Sequence, residues 1–207
     1  YEDDVMLCYD YNDIETAIKE RKVAAILSIE NGQALQGDLS ALRIFYKLGV
    51  RSICLTWNYR NEIGDGVEDA LAGGGLTPFG RNVVKEMNSL GMIVDVSHLS
   101  EKGFWDVIEL SNMPIIASHS NSKALCNHIR NLTDEQIIGI KKKNGVIGVN
   151  FYPEFLNDSL KASSDDIIKH IEHICGLAGC EHVGLGADFD GIDYLPEDIG
   201  GVQDIEI

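Results

Sequence analysis

Short apolar segments rich in Val and Ile alternate along this chain with longer segments of helical periodicity, and this alternation limits the fold more than any other feature. It is typical of βα units wound around a parallel sheet, whose buried strands are almost continuously apolar. The pattern predicts six strands, at residues 23–29, 50–55, 92–96, 114–117, 145–149 and 182–187. It predicts helices between them, the clearest at residues 39–48, 79–90, 102–110, 134–142 and 165–177.

Helix-end signals support these boundaries. Thr133 and Gln136 form the capping-box pattern at the start of the helix predicted for residues 134–142. Gly91 and Gly145 stand where glycine commonly caps a helix C-terminus. No linker or change of composition divides the chain, so we expect residues 1–207 to form a single domain.

Polar residues at the strand ends distinguish an open doubly wound sheet from a barrel. A TIM barrel has eight strands and about 250 residues, so six units fit either an open sheet or an incomplete barrel. A doubly wound sheet collects its chemistry at one switch point, whereas a barrel spreads it over several strand ends. Here a polar residue stands at or just after each predicted strand: Glu30, Asn58, His98, His119, Asn150 and Asp188. We therefore predict an α/β fold, an incomplete TIM-like (β/α)8 barrel.

Charge and cysteine content exclude several classes of partner. With 17 basic and 33 acidic residues the net charge is −16, which opposes binding to nucleic acid and to anionic membranes. No apolar run approaches the roughly 20 residues of a membrane span, and the first residues do not resemble a signal peptide. Five cysteines without a CxxC pair argue against a disulfide framework. We expect a cytoplasmic protein that acts on small molecules or peptides.

Glu30, His98 and His119 are the candidate metal ligands. Glu30 directly follows an apolar strand, and the two histidines follow neighbouring strands by the same short step, so the three side chains should meet at one edge of the sheet. Two imidazoles and a carboxylate are ligands that zinc takes. Taken singly, each histidine could instead be a structural residue, and Glu30 a loop or helix-capping carboxylate. The repeated placement favours the metal site.

Asp188 is the candidate for proton transfer. It follows the last predicted strand together with Asp190, and we assign the role to Asp188, which would act near a metal-bound water. The alternative is a carboxylate that caps the following turn.

A second group of side chains offers an alternative zinc site: His170, His173, Cys175, Cys180 and His182. Histidines three positions apart share a helix face, and cysteines follow closely. Their spacing fits no common zinc module. In a barrel this segment leads into the N-terminal end of a strand, the face associated with stability rather than catalysis, so we disfavour this site.

Seven short motifs resemble, in order and approximate spacing, those of the membrane (renal) dipeptidase family of zinc metallopeptidases. They are ILSIE at 26–30, LTWN at 55–58, GLTPFG at 75–80, DVSH at 95–98, SHS at 118–120, RNLTD at 130–134 and GADFDG at 186–191. The resemblance covers essentially the whole chain. Several motifs in the correct order are more specific than any one of them alone.

The resemblance implies a barrel that hydrolyses the peptide bond of dipeptides with a water that bridges two zinc ions. Glu30 corresponds to the carboxylate that bridges the ions, and His98 and His119 correspond to ligands of one ion. Asp188 would transfer a proton or hold the substrate amine, and Arg130 would bind the substrate carboxylate. Family members are often dimers, so the resemblance leaves a homodimer open.

Two departures from the family pattern limit these implications. The family's other zinc is held by a His-x-Asp pair on the first barrel strand, but all six histidines here follow Glu30. We therefore expect the chain to be a fragment that lacks the first strand and the C-terminal part. Trp57 stands where mammalian members carry a histidine that contacts the scissile carbonyl, and we expect Trp57 and Asn58 to contact substrate. Hydrolysis of another small amide or lactone, or an inactive binding or structural protein, are the alternatives.

Overall fold

A six-stranded parallel sheet is the main element of the computed structural model, which describes residues 3–159 and 161–205. The strands in chain order are β1 (Val5–Leu7), β2 (Val23–Ala25), β3 (Leu27–Glu30), β4 (Val50–Cys54), β5 (Ile93–Asp95), β6 (Ile115–Ala117), β7 (Val146–Val149) and β8 (Val183–Leu185). The helices are α1 (Tyr11–Lys19), α2 (Leu39–Lys47), α3 (Pro78–Leu90), α4 (Glu101–Leu110), α5 (Asp134–Lys142), α6 (Pro153–Leu156) and α7 (Ser164–Ala178). Short 3₁₀ turns lie at Gly32–Leu35, Val67–Ala72, Cys180–His182 and Val202–Asp204.

The strand order is that of a barrel segment. Strands β3 to β8 lie side by side in sequence order and are all parallel, so the order never reverses. The connecting helices follow the same order, because α2 packs on α3, α3 on α4, α4 on α5 and α5 on α7. A doubly wound sheet would instead show a reversal of strand order and helices on both faces. The predicted TIM-like architecture is confirmed, with six strands of the main sheet in the described part of the chain.

The hydrophobic core lies between the sheet and this layer of helices. The helix side chains in it include five that are at most 1% exposed: Met87, Phe104, Ile137, Ile140 and Ile174. They belong to one cluster with the fully buried strand residues Ile53, Val94, Ile115 and Ile147. Full burial of each such side chain stabilises the fold by about 1.5–3 kcal/mol. Within residues 3–159 and 161–205, no helix combines the length and the apolar character that crossing a bilayer requires.

The structure divides the first predicted strand, residues 23–29, into two shorter strands. β2 pairs with β1, whereas β3 pairs with β4, and Ile26 belongs to neither ladder. The register of β3 against β4 also shifts between Leu27 and Ser28. The prediction of one continuous strand was wrong because apolar patterning shows that a segment is extended but does not show which neighbour it pairs with.

Local side-chain chemistry sets the helix starts. Thr133 and Gln136 form the predicted capping box at the first turn of α5. The sequence prediction missed β1 and α1, although α1 starts with a capping box of its own. Asp10 accepts from the amide of Asp13, and the side chain of Asp13 accepts in return from the amide of Asp10. This pair was the signal that could have revealed α1.

Glycine caps one of the two helix ends at which it was predicted. Gly91 ends α3 with a left-handed backbone, φ 73°, as predicted. At the end of α5 it is Asn144, with φ 53°, that takes the left-handed conformation rather than Gly145. A Cβ atom on Gly145 would lie 2.1 Å from the carbonyl oxygen of Ile115, so this glycine permits the close approach of two chain segments.

Cys175 and Cys180 form a disulfide, which corrects the expectation of a chain without one. Cys175 lies near the end of α7, and the chain reverses at Gly179, where φ is 104°. The reversal brings the two cysteine Cα atoms to 4.4 Å. The sequence spacing alone did not indicate the pair because the contact depends on this turn. The remaining cysteines, Cys8, Cys54 and Cys126, are free and buried.

His170 on α7 is fully buried and joins three segments of the chain. Its Nδ1 accepts a hydrogen bond from the amide of Ser122 at 3.0 Å, and its Nε2 donates to the carbonyl oxygen of Leu156 at 2.9 Å. Burial lowers the pKa of this imidazole, and the neutral form satisfies both partners. His170 therefore holds the loop after β6 against α6 and α7.

This arrangement predicts that part of the acid sensitivity of the fold comes from His170. Because its pKa is lower in the folded than in the unfolded chain, its contribution to stability is complete above the unfolded value, near 6.5, and falls as the pH drops below it. His170→Gln keeps a donor and an acceptor but does not titrate. We expect this variant to lose less free energy of unfolding on acidification, by at most about 1.4 kcal/mol per pH unit, the limit for one proton.

Urea unfolding at neutral pH and at pH about 5 measures the effect. His173→Gln is the matched control, because His173 lies on the same helix and is only partly buried beside Asp134. Equal pH dependence of the His170→Gln variant and the unmodified chain would contradict the assignment.

Candidate metal centre

The carboxyl ends of three strands bring Glu30, His98 and His119 together. Glu30 is the last residue of β3, His98 follows β5 by three residues, and His119 follows β6 by two. The side chain of Glu30 is 50% exposed because β3 is the outer strand of the six-stranded sheet, whereas both histidines are buried. One oxygen or nitrogen from each side chain lies within 4.8 Å of the others.

His98 occupies a left-handed backbone conformation, with φ 64°. This conformation is uncommon for residues other than glycine, and it persists where surrounding contacts enforce it. Here the carbonyl oxygen of His98 accepts from the amide of Val67 at 3.0 Å and from the hydroxyl of Thr56 at 3.2 Å. These two contacts hold the turn that directs the imidazole toward Glu30.

Interatomic distances show how closely the three groups converge. The two Nε2 atoms of His98 and His119 are 2.8 Å apart. The Oε1 atom of Glu30 lies 3.0 Å from Nε2 of His98 and 3.6 Å from Nε2 of His119. Among the residues that the structure describes, no other group of His, Cys, Asp and Glu converges in this way.

The hydrogen-bond partners of the two Nδ1 atoms favour the tautomers in which each Nε2 atom offers a lone pair. Nδ1 of His98 lies 2.6 Å from Oδ1 of Asn58, an acceptor, so the ring proton is on Nδ1. Nδ1 of His119 lies 2.7 Å from the hydroxyl oxygen of Ser118, whose own proton is donated to Asp95. Three proton-free acceptor atoms thus face one another, and a cation is the group that satisfies all three.

Electrostatics keep these imidazoles in the neutral form that binds metals. Burial, and secondarily the charge of Arg130, lower the pKa of His98 to about 3. The same two causes lower the pKa of His119. At neutral pH both rings therefore offer lone pairs without having to lose a proton.

An open cleft of about 410 Å³ lies over the metal-ligand group. Its walls include every residue that the sequence assigned to the site except His119. Trp57 is 46% exposed, and its ring centroid is 6.0 Å from that of His98. The structure therefore places both Trp57 and Asn58 beside the metal-ligand group.

Arg130 presents a buried positive charge to this cleft. It is 5% exposed, its Nη2 donates to the carbonyl oxygen of His119 at 3.3 Å, and its guanidinium carbon lies 5.6 Å from the centre of the Phe155 ring. Its Nε has no hydrogen-bond partner within the described residues. Burial lowers the pKa of the guanidinium. A buried cation with unfilled donors is a binding site for an anion, and a planar guanidinium suits a carboxylate.

Asp188 lies in the cleft, held by one neighbouring amide. Its backbone is left-handed, with φ 61°, and its Oδ2 accepts from Nδ2 of Asn150 at 3.2 Å. Oδ1 of Asn150 accepts from the amide of Tyr152 at 2.6 Å, which fixes the orientation of the amide group. Burial raises the pKa of Asp188, and the raised value suits a group that exchanges protons.

The alternative zinc site does not form. His170 is bonded to Ser122 and Leu156, Nε2 of His173 lies 2.8 Å from a carboxylate oxygen of Asp134, and Nδ1 of His182 lies 2.7 Å from the carbonyl oxygen of Gly145. The two cysteines of the group are bonded to each other. Each histidine thus has a separate structural partner.

Several residues of the site were not assigned from the sequence. The cleft walls also contain Glu68, His128, Tyr152, Glu154 and Phe155. They come from the 3₁₀ turn after β4, from the loop after β6 and from the α6 region, where no periodic pattern marks them. Asp95 and Ser118 lie inside two of the recognised motifs, but their roles become visible only through their contacts.

The chain matches known proteins along almost its whole length. The model of the membrane dipeptidase family, peptidase family M19, matches residues 1–206. An uncharacterized Klebsiella pneumoniae protein from the pqqA 5' region is 40% identical over 205 residues, which are 95% of this chain and 75% of that protein. Dipeptidase tcpJ of Claviceps purpurea is 36% identical over 207 residues, which are 99% of this chain and 48% of that protein.

A solved structure extends the likeness to three dimensions. It is a metallopeptidase from Rhodobacter sphaeroides, crystallised with a phosphinate mimic of the dipeptide L-Ala-D-Ala. The TM-score is 0.87 at 34% identity, and the match covers 94% of this chain and 58% of that one. The chain therefore spans about half of the length of the Claviceps purpurea and Rhodobacter sphaeroides relatives.

Two glycines permit the close packing behind His119, and one of them gives a test. A Cβ atom on either Gly148 or Gly186 would lie 2.0 Å from the carbonyl oxygen of Ser118. We expect Gly186→Ala to lower the free energy of unfolding by about 1–3 kcal/mol, as overpacking does. Gly184→Ala is the control, since its new methyl would meet Val146 at an ordinary 3.7 Å. Urea unfolding compares the variants, and equal stability would contradict the packing argument.

Proposed function

Because the chain belongs to the membrane dipeptidase family of peptidases, we propose that the protein is a zinc-dependent dipeptidase and that this chain carries much of its active site. One observation carries the proposal: ligand atoms of Glu30, His98 and His119 converge to within 4.8 Å of one another below a cleft that contains a buried arginine. Two imidazole nitrogens and a carboxylate oxygen match the ligand preference of zinc.

Two zinc ions are part of the proposal, and Glu30, His98 and His119 would help to hold them. In the family pattern one of the ions is held by a His-x-Asp pair, which precedes the segment that this chain matches. When bound, the ions supply an acidified water and stabilise the negative charge that develops on the peptide carbonyl oxygen. The protein residues then have to bind the dipeptide, orient it and move protons.

The cleft offers a separate group for each charged end of a dipeptide. Arg130 is the group we propose for the terminal carboxylate, because it is a buried guanidinium whose Nε has no hydrogen-bond partner within the described residues. Asp188, held by Asn150, is the group we propose for proton transfer or for holding the substrate amine. Trp57 and Asn58 line the same cleft and would contact the substrate beside the scissile bond.

The substrate class, the oligomeric state and the cellular location of the protein stay predictions. Hydrolysis of another small amide or lactone, and binding without catalysis, are the competing functions, because a fold and its metal ligands do not fix a substrate. These alternatives depend on Trp57, which stands where mammalian members of the family carry a histidine. The homodimer and the cytoplasmic location expected from the sequence stay predictions too.

The first test is zinc binding by the 207-residue chain. We expect His119→Ala and Glu30→Gln each to weaken zinc binding by more than the roughly 10–100-fold that loss of an outer-shell partner costs. His173→Ala, on the outer side of the barrel segment, should bind zinc as the unmodified chain does. Competition with a chromophoric chelator gives the affinities. Equal zinc affinity in all variants would show that Glu30 and His119 are not zinc ligands.

The second test concerns Arg130 and uses the full-length protein. Arg130→Met should raise KM for a dipeptide by about 30-fold or more, because loss of one partner of a buried charge pair costs about 2 kcal/mol or more. KM for the same dipeptide with an amidated C-terminus should change little, since the amide carries no charge. Arg130→Lys keeps the charge but loses the planar fork. Its KM for the dipeptide should therefore lie between the KM of the unmodified protein and that of Arg130→Met.

A panel of dipeptides, small amides and lactones decides between the candidate substrates. Turnover of dipeptides alone supports the proposal, whereas turnover of amides or lactones alone would replace it. An intact protein that binds no zinc and hydrolyses nothing in the panel would show a binding or structural role.

A further inference from the structure

We propose that Asp95, acting through Ser118, is a positioning residue of the metal centre that fixes the proton of His119 on Nδ1. The Nε2 lone pair of His119 then points toward Glu30 and His98. This inference rests on the proposed metal site, but it concerns hydrogen bonds that the chain makes by itself. The side chains involved lie beneath the ligands and do not contact the cleft.

Asp95 is a buried carboxylate at the point where the β5–β6 ladder ends. It is the last residue of β5 and is 2% exposed. Its Oδ1 accepts from the amides of Ser97 and Ser118, each at 3.0 Å, and its Oδ2 accepts a short bond from the hydroxyl of Ser118. One side chain thus ties together the two loops that carry His98 and His119.

Proton counting at Ser118 determines the tautomer of His119. The single hydroxyl proton of Ser118 is given to Asp95, so its oxygen can only accept from other groups. Nδ1 of His119 lies 2.7 Å from this oxygen and must therefore carry the proton. Ser97 reinforces the arrangement, because its hydroxyl oxygen accepts from the amide of His119 at 3.1 Å and lies 3.4 Å from the Ser118 oxygen.

The two imidazoles of the site are thus oriented by different means. Nδ1 of His98 meets the neutral amide of Asn58, whereas Nδ1 of His119 meets a hydroxyl polarised by a buried carboxylate. Bonds that involve an ionised group are stronger than neutral ones. Carboxylates that orient a metal-bound histidine directly are common, and here a serine stands between the two groups. We expect His119 to be the more firmly oriented ring.

Substitutions at Ser118 test the proposal without changing a ligand. Ser118→Ala should weaken zinc binding by the 207-residue chain about 10–100-fold, as loss of an outer-shell partner does. Ser118→Thr restores the hydroxyl and should bind zinc within about 3-fold of the unmodified chain, far inside that range. Asp95→Asn should weaken zinc binding to a similar extent as Ser118→Ala.

Ser120→Ala is the matched control. Ser120 flanks His119 on the other side, is 1% exposed, and its hydroxyl has no hydrogen-bond partner within the described part of the chain. Its loss should leave zinc affinity unchanged. A thermal melt of each variant separates a general loss of stability from a specific loss of metal affinity.

A second readout works on the metal-free chain and does not depend on zinc. Long-range ¹H–¹⁵N spectra report which ring nitrogen of His119 carries the proton. We expect Nδ1–H in the unmodified chain and in Ser120→Ala, and a mixture of tautomers in Ser118→Ala. A proton on Nε2 of His119 in the unmodified chain would overturn the proposal, and so would unchanged zinc affinity in Ser118→Ala. If the unmodified chain binds no zinc, the proposed metal site fails, and a positioning role toward metal fails with it, whatever the tautomer.

Discussion

Parallel pairing of neighbouring strands is the constraint on which the rest of this structure depends. Glu30 pairs with Cys54 and Cys54 pairs with Asp95, so the ends of β3, β4 and β5 are level. The residues that follow these ends must then meet over the same edge of the sheet. Groups more than 60 positions apart in sequence thereby come within hydrogen-bond distance, and the helix layer behind the sheet keeps them there.

Sequence patterns predicted the parts of the structure that depend on local periodicity. The six strands of the main sheet and the helices α2, α3, α4, α5 and α7 between them could be located because buried strands and amphipathic helices leave different patterns. Glu30, His98 and His119 could be chosen because each lies at or just beyond a strand end. Their role as metal ligands and that of Asp188 in proton transfer were inferred from placement and side-chain chemistry. The bridging role of Glu30 and the substrate-binding role of Arg130 come from the family resemblance, and all of these roles stay predictions.

The remaining features depend on which segments become neighbours. The break at Ile26 reflects a change of pairing partner, and the Cys175–Cys180 bond requires the turn at Gly179. Nothing in the sequence distinguishes Asp95 from other polar residues near strand ends. Only the folded chain places the hydroxyl of Ser118 against its carboxylate. The cleft also shows why net charge is a poor guide to ligands. Although the chain carries a net charge of −16, its most buried cation, Arg130, lines the cleft.

The left-handed backbone of His98 limits how this centre could be redesigned for another metal. Of the residues that supply metal ligands, His, Asp and Asn are those most often found with positive φ, whereas bulky or β-branched side chains are outliers there. Exchange of His98 for Asp would therefore keep the turn and add an oxygen ligand of the kind that harder cations such as Mn²⁺ prefer. The main-chain conformation at this one position thus restricts which ligand residues could replace His98.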